Sequence, residues 1–272
     1  MRTTFRTLID DLEDSTVHWS AWLATFVGIV IVRNLLEGAL GPEGVLGFTY
    51  FTSPSALMVL DHFLLFYVSV FLGFAVLLSL LARVEIARVM RVITPAWVLI
   101  LIPPILDYAL SGGEGVGLSY LVDLRSVVLR FFDPGESLER VSVGQRVEIF
   151  AACLLAAAYV RVKTTNWLKT IAAFFLGYLV IAALGIIPSA YARLSWAVSG
   201  GGPVPPELAY DAAYKAGGIV PDESRKLALL FSFTSGALGW LAYRLHRPEK
   251  ERAFRLGFRP IRALHYLSLI HI

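Results

Sequence analysis

Six apolar runs, each close to the length that crosses a bilayer, dominate this sequence of 272 residues. A transmembrane helix needs about 20 consecutive, mostly apolar residues. Hydrophobic residues make up 57% of the chain and charged residues 17%, whereas a soluble domain is about half apolar and about a quarter charged. We therefore predict an all-α, polytopic membrane protein with about six transmembrane helices. The predicted spans cover residues 19–40, 56–82, 92–110, 143–160, 168–187 and 227–245.

The placement of Lys and Arg predicts the orientation of these spans, because cytoplasmic loops carry an excess of both. With six spans, the two chain ends lie on the same side as two short basic turns, near 83–91 and 161–169. These segments carry 15 Lys and Arg, against 7 in the longer loops of the opposite side. Both termini are therefore predicted to be cytoplasmic.

The segments outside the spans suggest a division of the chain. Residues 1–17 form a predicted cytoplasmic amphipathic lead-in, residues 18–245 the six-span domain, and residues 246–266 a basic amphipathic segment. Residues 267–272 read like the translated end of a sequencing library. We expect them to be a non-native tail, with the open reading frame cut near Tyr266.

Charged residues interrupt the apolar runs at one predicted depth. Ionisable groups inside a span are costly and usually face protein or a cavity, so each is a candidate functional residue. Pro103 and Pro104 precede one of them and would kink its helix. A rise of about 1.5 Å per residue places the following set in the outer half of the membrane: Arg33, Glu37, Asp61, His62, Asp107, Arg146 and Glu148. Two interpretations stay open, a polar pocket for a lipid head group or proton, or a buried ion-pair network that fixes helix packing.

An acidic cluster, Asp10-Asp11-Leu12-Glu13-Asp14, lies in the lead-in. Carboxylates one helical turn apart can supply the oxygen ligands that Mg²⁺ requires, which makes Asp10, Asp11 and Asp14 candidate metal ligands. The alternative is a solvated acidic helix start, which the helix dipole favours. Cys153 is the only cysteine, so an internal disulfide and a cysteine-based metal site are both excluded.

The basic C-terminal segment favours contact with a membrane surface. Cationic residues next to a span are attracted to the anionic lipids of the inner leaflet, and this explains the segment without a nucleic acid partner. The candidate contacts with lipid head groups are Arg247, Lys250, Arg252, Arg255 and Arg259.

Residues 258–266 resemble the entry to UbiA-type prenyltransferases, in which an Arg-Pro element, here Arg259-Pro260, leads from a cytoplasmic amphipathic helix into the first catalytic span. The two aspartate-rich motifs of that family are absent from their expected place. The resemblance therefore implies that this chain is not catalytic alone and holds no cofactor. Mg²⁺ would be bound only if a prenyltransferase domain follows.

Four upstream segments look similar to an accessory membrane domain that precedes such enzymes in some microbial proteins. They are residues 32–37, 103–107, 144–148 and 159–164. A weaker resemblance, to Yip1-like membrane proteins, rests on the number of spans.

The function expected from this resemblance is to hold or present a polyprenyl lipid to a prenyltransferase that uses polyprenyl diphosphate. The expected location is a prokaryotic plasma membrane, and the expected partners are the bilayer and this lipid. One alternative is a small transporter whose substrate or proton path uses Arg33, Asp107, Arg146 and Glu148. Another is a structural membrane scaffold without a site.

Overall fold

The computed structural model describes residues 2–40, 54–115, 142–198 and 221–247, and the elements in these ranges are helices. They are α1 (Arg2–Glu13), α2 (Trp19–Leu40), α3 (Pro54–Ala82), α4 (Ile86–Ala96), a 3₁₀ segment (Trp97–Leu101), α5 (Ile102–Leu110), α6 (Val143–Thr164), α7 (Trp167–Gly185), α8 (Ile187–Val198) and α9 (Pro221–His246).

Five stretches are long and apolar enough to cross a membrane. They are Trp19–Leu40, Phe63–Ala82, Ile86–Leu110, Val143–Thr164 and Trp167–Gly185. The prediction of an all-α polytopic membrane protein is therefore confirmed. The sixth predicted span lies within α9, which is not among the five because Ser, Thr and Gly interrupt its apolar residues. α9 nevertheless packs along most of α3.

Helix α3 is the centre of the bundle, with α2, α4, α6, α7 and α9 packed around it. Its buried aromatic residues interlock with those of neighbouring elements. The ring of Phe71 lies 4.8 Å from that of Phe26 on α2 and 5.4 Å from that of Trp97, measured between centroids. Ala75 is fully buried in the same layer.

The third span differs from its prediction at its start and in its middle. It begins at Ile86 rather than near residue 92, so Arg88 and Arg91 lie on a helix and not in a basic turn. Its middle is the 3₁₀ segment, which lies between Pro95 and Pro103. Proline lacks a backbone N–H and disrupts the α-helical ladder, which explains why the tighter 3₁₀ form occurs here.

The sequence predicts a loop over 189–224, between the fifth and sixth spans, and this is wrong at its start, because α8 continues the chain as a helix to Val198. α7 ends at Gly185, and Pro188 lies in the first turn of α8. Proline is tolerated there because the first N–H groups of a helix have no partner within it. Proline therefore marks the start of a second helix rather than the end of helical structure.

Helices α5 and α6 approach each other closely at Gly144. A Cβ atom at this position would lie 2.5 Å from Pro103 Cα and 2.7 Å from an oxygen of the Asp107 carboxylate. Real Cβ atoms essentially never come so close to backbone. Any side chain at residue 144 would therefore separate the two helices.

We predict that Gly144→Ala lowers the thermal stability of the protein, because overpacking of this kind costs about 1–3 kcal/mol. Gly28→Ala is the matched control, since a Cβ there meets nothing within 4 Å and alanine favours a helix interior by about 0.5–1 kcal/mol. Unfolding in detergent, followed by intrinsic tryptophan fluorescence, measures both. Equal stability of the two variants would contradict the close approach.

Candidate functional site

Asp107 of α5 caps the N-terminus of α6. Its side chain is buried, and Oδ1 accepts a hydrogen bond from the backbone N–H of Gly144 at 2.7 Å. The Ser142 side chain also hydrogen-bonds to the carboxylate. The first N–H groups of a helix lack internal partners and carry a partial positive charge, and a carboxylate compensates for both. Asp107 therefore joins two helices that are far apart in sequence.

A capping box completes the start of α6. Ser142 Oγ accepts from the backbone N–H of Gln145 at 3.1 Å, and Gln145 Oε1 accepts from the backbone N–H of Ser142 at 3.3 Å. These two bonds satisfy further orphan donors. The N-terminal turn of α6 is thus held in place both by its own residues and by Asp107. These contacts determine the position of the next turn of α6, which carries Glu148.

Arg33 is the centre of the charged residues within the bundle. Only 2% of it is exposed. It forms an ion pair with Glu37 one turn further along α2, and it also hydrogen-bonds to the hydroxyl of Tyr67 on α3. Glu148 of α6 lies within electrostatic range of Arg33. Three helices therefore contribute to one charged cluster, Arg33, Glu37, Tyr67 and Glu148.

The structure brings together four of the seven residues predicted to share one depth, Arg33, Glu37, Asp107 and Glu148, which interact electrostatically. Arg146 is half-buried on α6, and residues two apart on a helix do not face the same direction. Asp61 and His62 lie on α3, and their side chains fall outside the described residues.

The acidic cluster of α1 faces cations of the bundle. Lys163 Nζ lies 2.7 Å from Asp10 Oδ1 and 2.8 Å from Glu13 Oε2, and the Tyr159 hydroxyl donates to Glu13 at 2.8 Å. Asp14 lies 3.3 Å from Arg88. These contacts dock α1 against α4 and α6.

The three candidate Mg²⁺ ligands therefore lie in different surroundings. Asp10 and Asp14 are paired with cationic side chains, whereas Asp11 is exposed. No group of three or more His, Cys, Asp or Glu is placed to hold a metal ion within residues 2–40, 54–115, 142–198 and 221–247. The acidic residues act there as partners for positive charge.

Of the predicted contacts with lipid head groups, Arg247 lies just beyond α9 and is exposed. Lys250, Arg252, Arg255 and Arg259 fall outside the described residues, as does most of the segment 246–266. Their role stays a prediction.

An elongated cavity of about 350 Å³ lies between α1, α3, α4 and α6. One end is formed by apolar residues of α1, including Leu8 and Ile9, and the other by Tyr67, Trp97 and Glu148. The residues of α3 that line it run from Phe66 to Leu78, a length of about 18 Å at the helical rise per residue. The cavity is thus a long apolar space with a polar end.

Three buried hydrogen-bond donors in the part of the bundle next to this polar end have no acceptor within the described ranges. Trp97 lines the cavity and is 8% exposed, but its Nε1 atom is buried away from the open space and has no partner among the residues that the structure describes. Nε of Arg33 and Nδ2 of Asn34, both on buried side chains, also lack one. An unsatisfied buried donor costs about 1–3 kcal/mol. This region of the bundle is therefore short of acceptors.

The cavity, Tyr67 and Trp97 were not predicted from the sequence. Tyr67 is a polar group inside one of the most apolar runs, and Trp97 follows Pro95 in the middle of a span. A tryptophan or tyrosine away from the membrane interface needs a hydrogen-bond partner for its polar atom. The positions of these two residues could therefore have indicated a polar site within the bundle.

Comparison with protein-family models, with curated proteins and with solved structures yields no match. The assignment of a function therefore rests on the residues and their geometry.

We predict that Asp107→Ala lowers thermal stability, because loss of a cap costs about 0.5–2 kcal/mol, and that Asp107→Asn retains most of it through its amide oxygen. Glu114→Ala is the matched control, since Glu114 is an exposed acid just beyond α5. Thermal unfolding in detergent measures all three. If Asp107→Ala were as stable as the control, the capping role would be wrong.

The docking of α1 should withstand mild acid. The hydrogen bond from Lys163 holds the pKa of Asp10 below its ordinary value of 3.8. A lowered pKa gives stability that is present above the ordinary value and lost as the pH falls below it. A spin label on a cysteine introduced at Thr4, which is exposed, should therefore be immobile at pH 5–7 and become mobile only below about pH 4.

Lys163→Gln should make this label mobile already at neutral pH. Lys169→Gln is the matched control: Lys169 hydrogen-bonds to the carbonyl of Leu81, and its replacement should leave the label immobile. Cys153 is buried, so the unsubstituted chain provides the labelling background. An immobile label in Lys163→Gln would show that these ionic contacts do not hold α1.

Proposed function

We propose that this protein holds the hydrocarbon chain of a membrane lipid in the cavity between α1, α3, α4 and α6. The observation that carries this proposal is the lining of the cavity, which is apolar along α3 from Val70 to Leu78 and has Tyr67 and Glu148 at its other end. Such a space fits an amphiphile with one chain and a small polar group.

Selectivity for a lipid would come from the polar end. Between protein and bilayer there is little hydrophobic driving force, because lipid tails are as apolar as leucine. A chain therefore gains mainly packing contacts on leaving the bilayer for the cavity. Hydrogen bonds at the polar end, where Glu148 lines the cavity, would supply the remaining affinity and the preference for one lipid.

A polyprenyl lipid is the class we propose first, and the proposed role is to hold or present it to a membrane prenyltransferase that uses polyprenyl diphosphate. The resemblance of residues 258–266 to the entry of UbiA-type enzymes supports this class. The proposed location is the plasma membrane of a prokaryote. α1 lies at the predicted cytoplasmic side, where that resemblance places the route to a catalytic domain.

A transporter and a scaffold are the other proposals. Glu148 supports the transporter, since it is a carboxylate that lines a cavity within the bundle. Two further members of the proposed path already have partners within the protein. Arg33 is paired with Glu37 and hydrogen-bonded to Tyr67, and Asp107 accepts from the backbone N–H of Gly144. Because these side chains are already bound to other residues of the bundle, the same contacts support a structural scaffold equally well.

Filling the cavity tests the lipid proposal. Ala152 lines the cavity, while Leu154 on the same helix is exposed at the outer surface of the bundle. We predict that Ala152→Phe weakens binding of tritiated geranylgeraniol to the protein in nanodiscs by about tenfold or more, because the phenyl ring would occupy cavity volume that the lipid chain needs, and a loss of about 1.4 kcal/mol of contacts is tenfold in affinity. Leu154→Phe, the matched control, should bind within about twofold of the unsubstituted protein, since exposed changes have small effects.

Saturable binding that is lost only in Ala152→Phe would support the proposal. Absence of saturable binding to the unsubstituted protein, or equal binding by both variants, would contradict it and leave the transporter and the scaffold as the leading functions.

A further inference from the structure

We infer that the lipid chain enters the cavity sideways from the bilayer, through a gap between α4 and α6, and that Glu13 of α1 ties these two helices together and so controls the gap. This inference rests on the proposed function and adds the route by which the ligand reaches the cavity. It follows from the packing of the helices, from a cavity residue that is also exposed, and from the contacts of Glu13.

Helices α4 and α6 form two sides of the cavity but do not pack extensively against each other. α4 packs against α1, α2, α3 and α9, and α6 packs against α3, α5 and α7. Pro95 and Ala96 line the cavity from the side of α4, and Ala152 and Leu155 line it from the side of α6. All four lie within stretches that are long and apolar enough to cross a membrane. The gap between the two helices therefore faces the hydrocarbon of the bilayer.

Leu155 indicates that the cavity continues to the outside of the bundle. This residue lines the cavity, yet 38% of it is exposed. Phe74 and Val89 line the same cavity and are 5% and 0% exposed, so contact with the cavity does not by itself expose a side chain this far. A leucine that faces both the cavity and the surrounding lipid marks an opening between the two.

Glu13, the last residue of α1, links α4 and α6. Its carboxylate accepts a hydrogen bond from the Tyr159 hydroxyl at 2.8 Å and lies 2.8 Å from Lys163 Nζ, and both of these partners are on α6. Its backbone carbonyl accepts from Arg91 of α4 at 2.8 Å. Glu13 is 3% exposed, and charge-assisted hydrogen bonds are among the stronger ones. This residue therefore holds the two helices together at the α1 end of the gap.

The α1 end is the end at which the gap can widen. At the other end the 3₁₀ segment, which follows α4, packs against α6 and bounds the gap. At the α1 end, α1 can stay on α4 through Arg91 while the contacts of Glu13 with α6 break. Glu13 does not line the cavity, so breaking these contacts changes the barrier to exchange and not the fit of the bound chain. Closing elements of this kind set rates of binding and release.

Time-resolved photolabelling measures this exchange within the bilayer. The probe is a geranylgeraniol analogue with a diazirine at the end of its tail, added to the protein in phosphatidylcholine nanodiscs and irradiated with a flash after a set delay. Label on cavity residues such as Ile9 and Val89 reports occupancy. Its rise with the delay gives the rate of entry, and its decay after addition of excess unlabelled geranylgeraniol gives the rate of exit.

Glu13→Ala should raise the rates of entry and exit together, each by about fivefold or more, because it removes hydrogen bonds to a buried charged group. Occupancy at equilibrium should stay within about twofold, since both rates change alike. Lys163→Gln, which removes the cationic partner on α6, should act in the same direction. Asp11→Ala is the matched control, because Asp11 is an exposed acid on the same helix, and it should change neither rate.

A bulky side chain at the gap should act in the opposite direction. Leu155→Trp should slow both entry and exit by about threefold or more, because each passage must displace a larger group. A change that only filled the cavity would slow entry but speed exit. Leu154→Trp is the matched control, since Leu154 is exposed on the same helix and does not line the cavity, and its rates should match those of the unsubstituted protein.

The outcomes separate the two proposals. Unchanged rates in Glu13→Ala and Lys163→Gln, or faster exit alone with a loss of occupancy, would overturn this inference and leave the proposed function intact. Exit that is not slowed in Leu155→Trp would also overturn it. If label on the cavity residues of the unsubstituted protein does not saturate, the proposed function fails together with the inference. The comparison at Leu155 does not depend on the folding of the Glu13 variant.

Discussion

The contact between Asp107 and the start of α6 is the interaction on which the interior of this bundle depends. The carboxylate accepts the N–H of Gly144 at 2.7 Å, and the absence of a side chain at Gly144 lets Pro103 approach the same turn. Because this contact sets the position of α6 relative to α5, it also sets where Glu148 lies relative to Arg33. The charged cluster and the polar end of the cavity both follow from it.

Charge within this membrane protein is neutralised locally. Arg33 is paired with Glu37 and bonded to Tyr67, and the acidic residues in and just after α1 face Lys163 and Arg88. An uncompensated charge in a bilayer is costly, so this pairing is expected of a stable fold. Its consequence for binding is that the cavity between these clusters carries little free charge, which makes it suited to an apolar chain.

Much of the fold could be predicted from the sequence because the bilayer imposes a length. Apolar runs of about 20 residues located the helices, and the rise of a helix placed Arg33 and Asp107 at one height before any contact was known. α8 was missed because the fifth span was ended before Pro188, which in fact begins a helix. In the third span a kink was predicted at Pro103 and Pro104, but not the 3₁₀ segment that follows Pro95.

The candidate site was only partly predictable. Asp107 could be recognised as an unusual residue, but its partner lies 37 residues away, and a cap between helices leaves no periodic signal. The cavity depends on the combined volumes of side chains from four elements, which a single sequence does not specify. The buried indole N–H of Trp97 has no acceptor in the part of the chain that the structure describes, and that is a property of the packed structure alone.

We propose that a lipid chain lies in this cavity with its tail toward α1. The most direct measurement is photocrosslinking with a geranylgeraniol analogue that carries a diazirine at the end of its tail, followed by mass spectrometry of the labelled peptides. Our account predicts label on residues at the α1 end of the cavity, such as Leu8, Ile9 and Val89. Label confined to the outer faces of α6 and α7, around Leu154 and Leu179, which are exposed, would show that the lipid lies outside the bundle and would contradict the account.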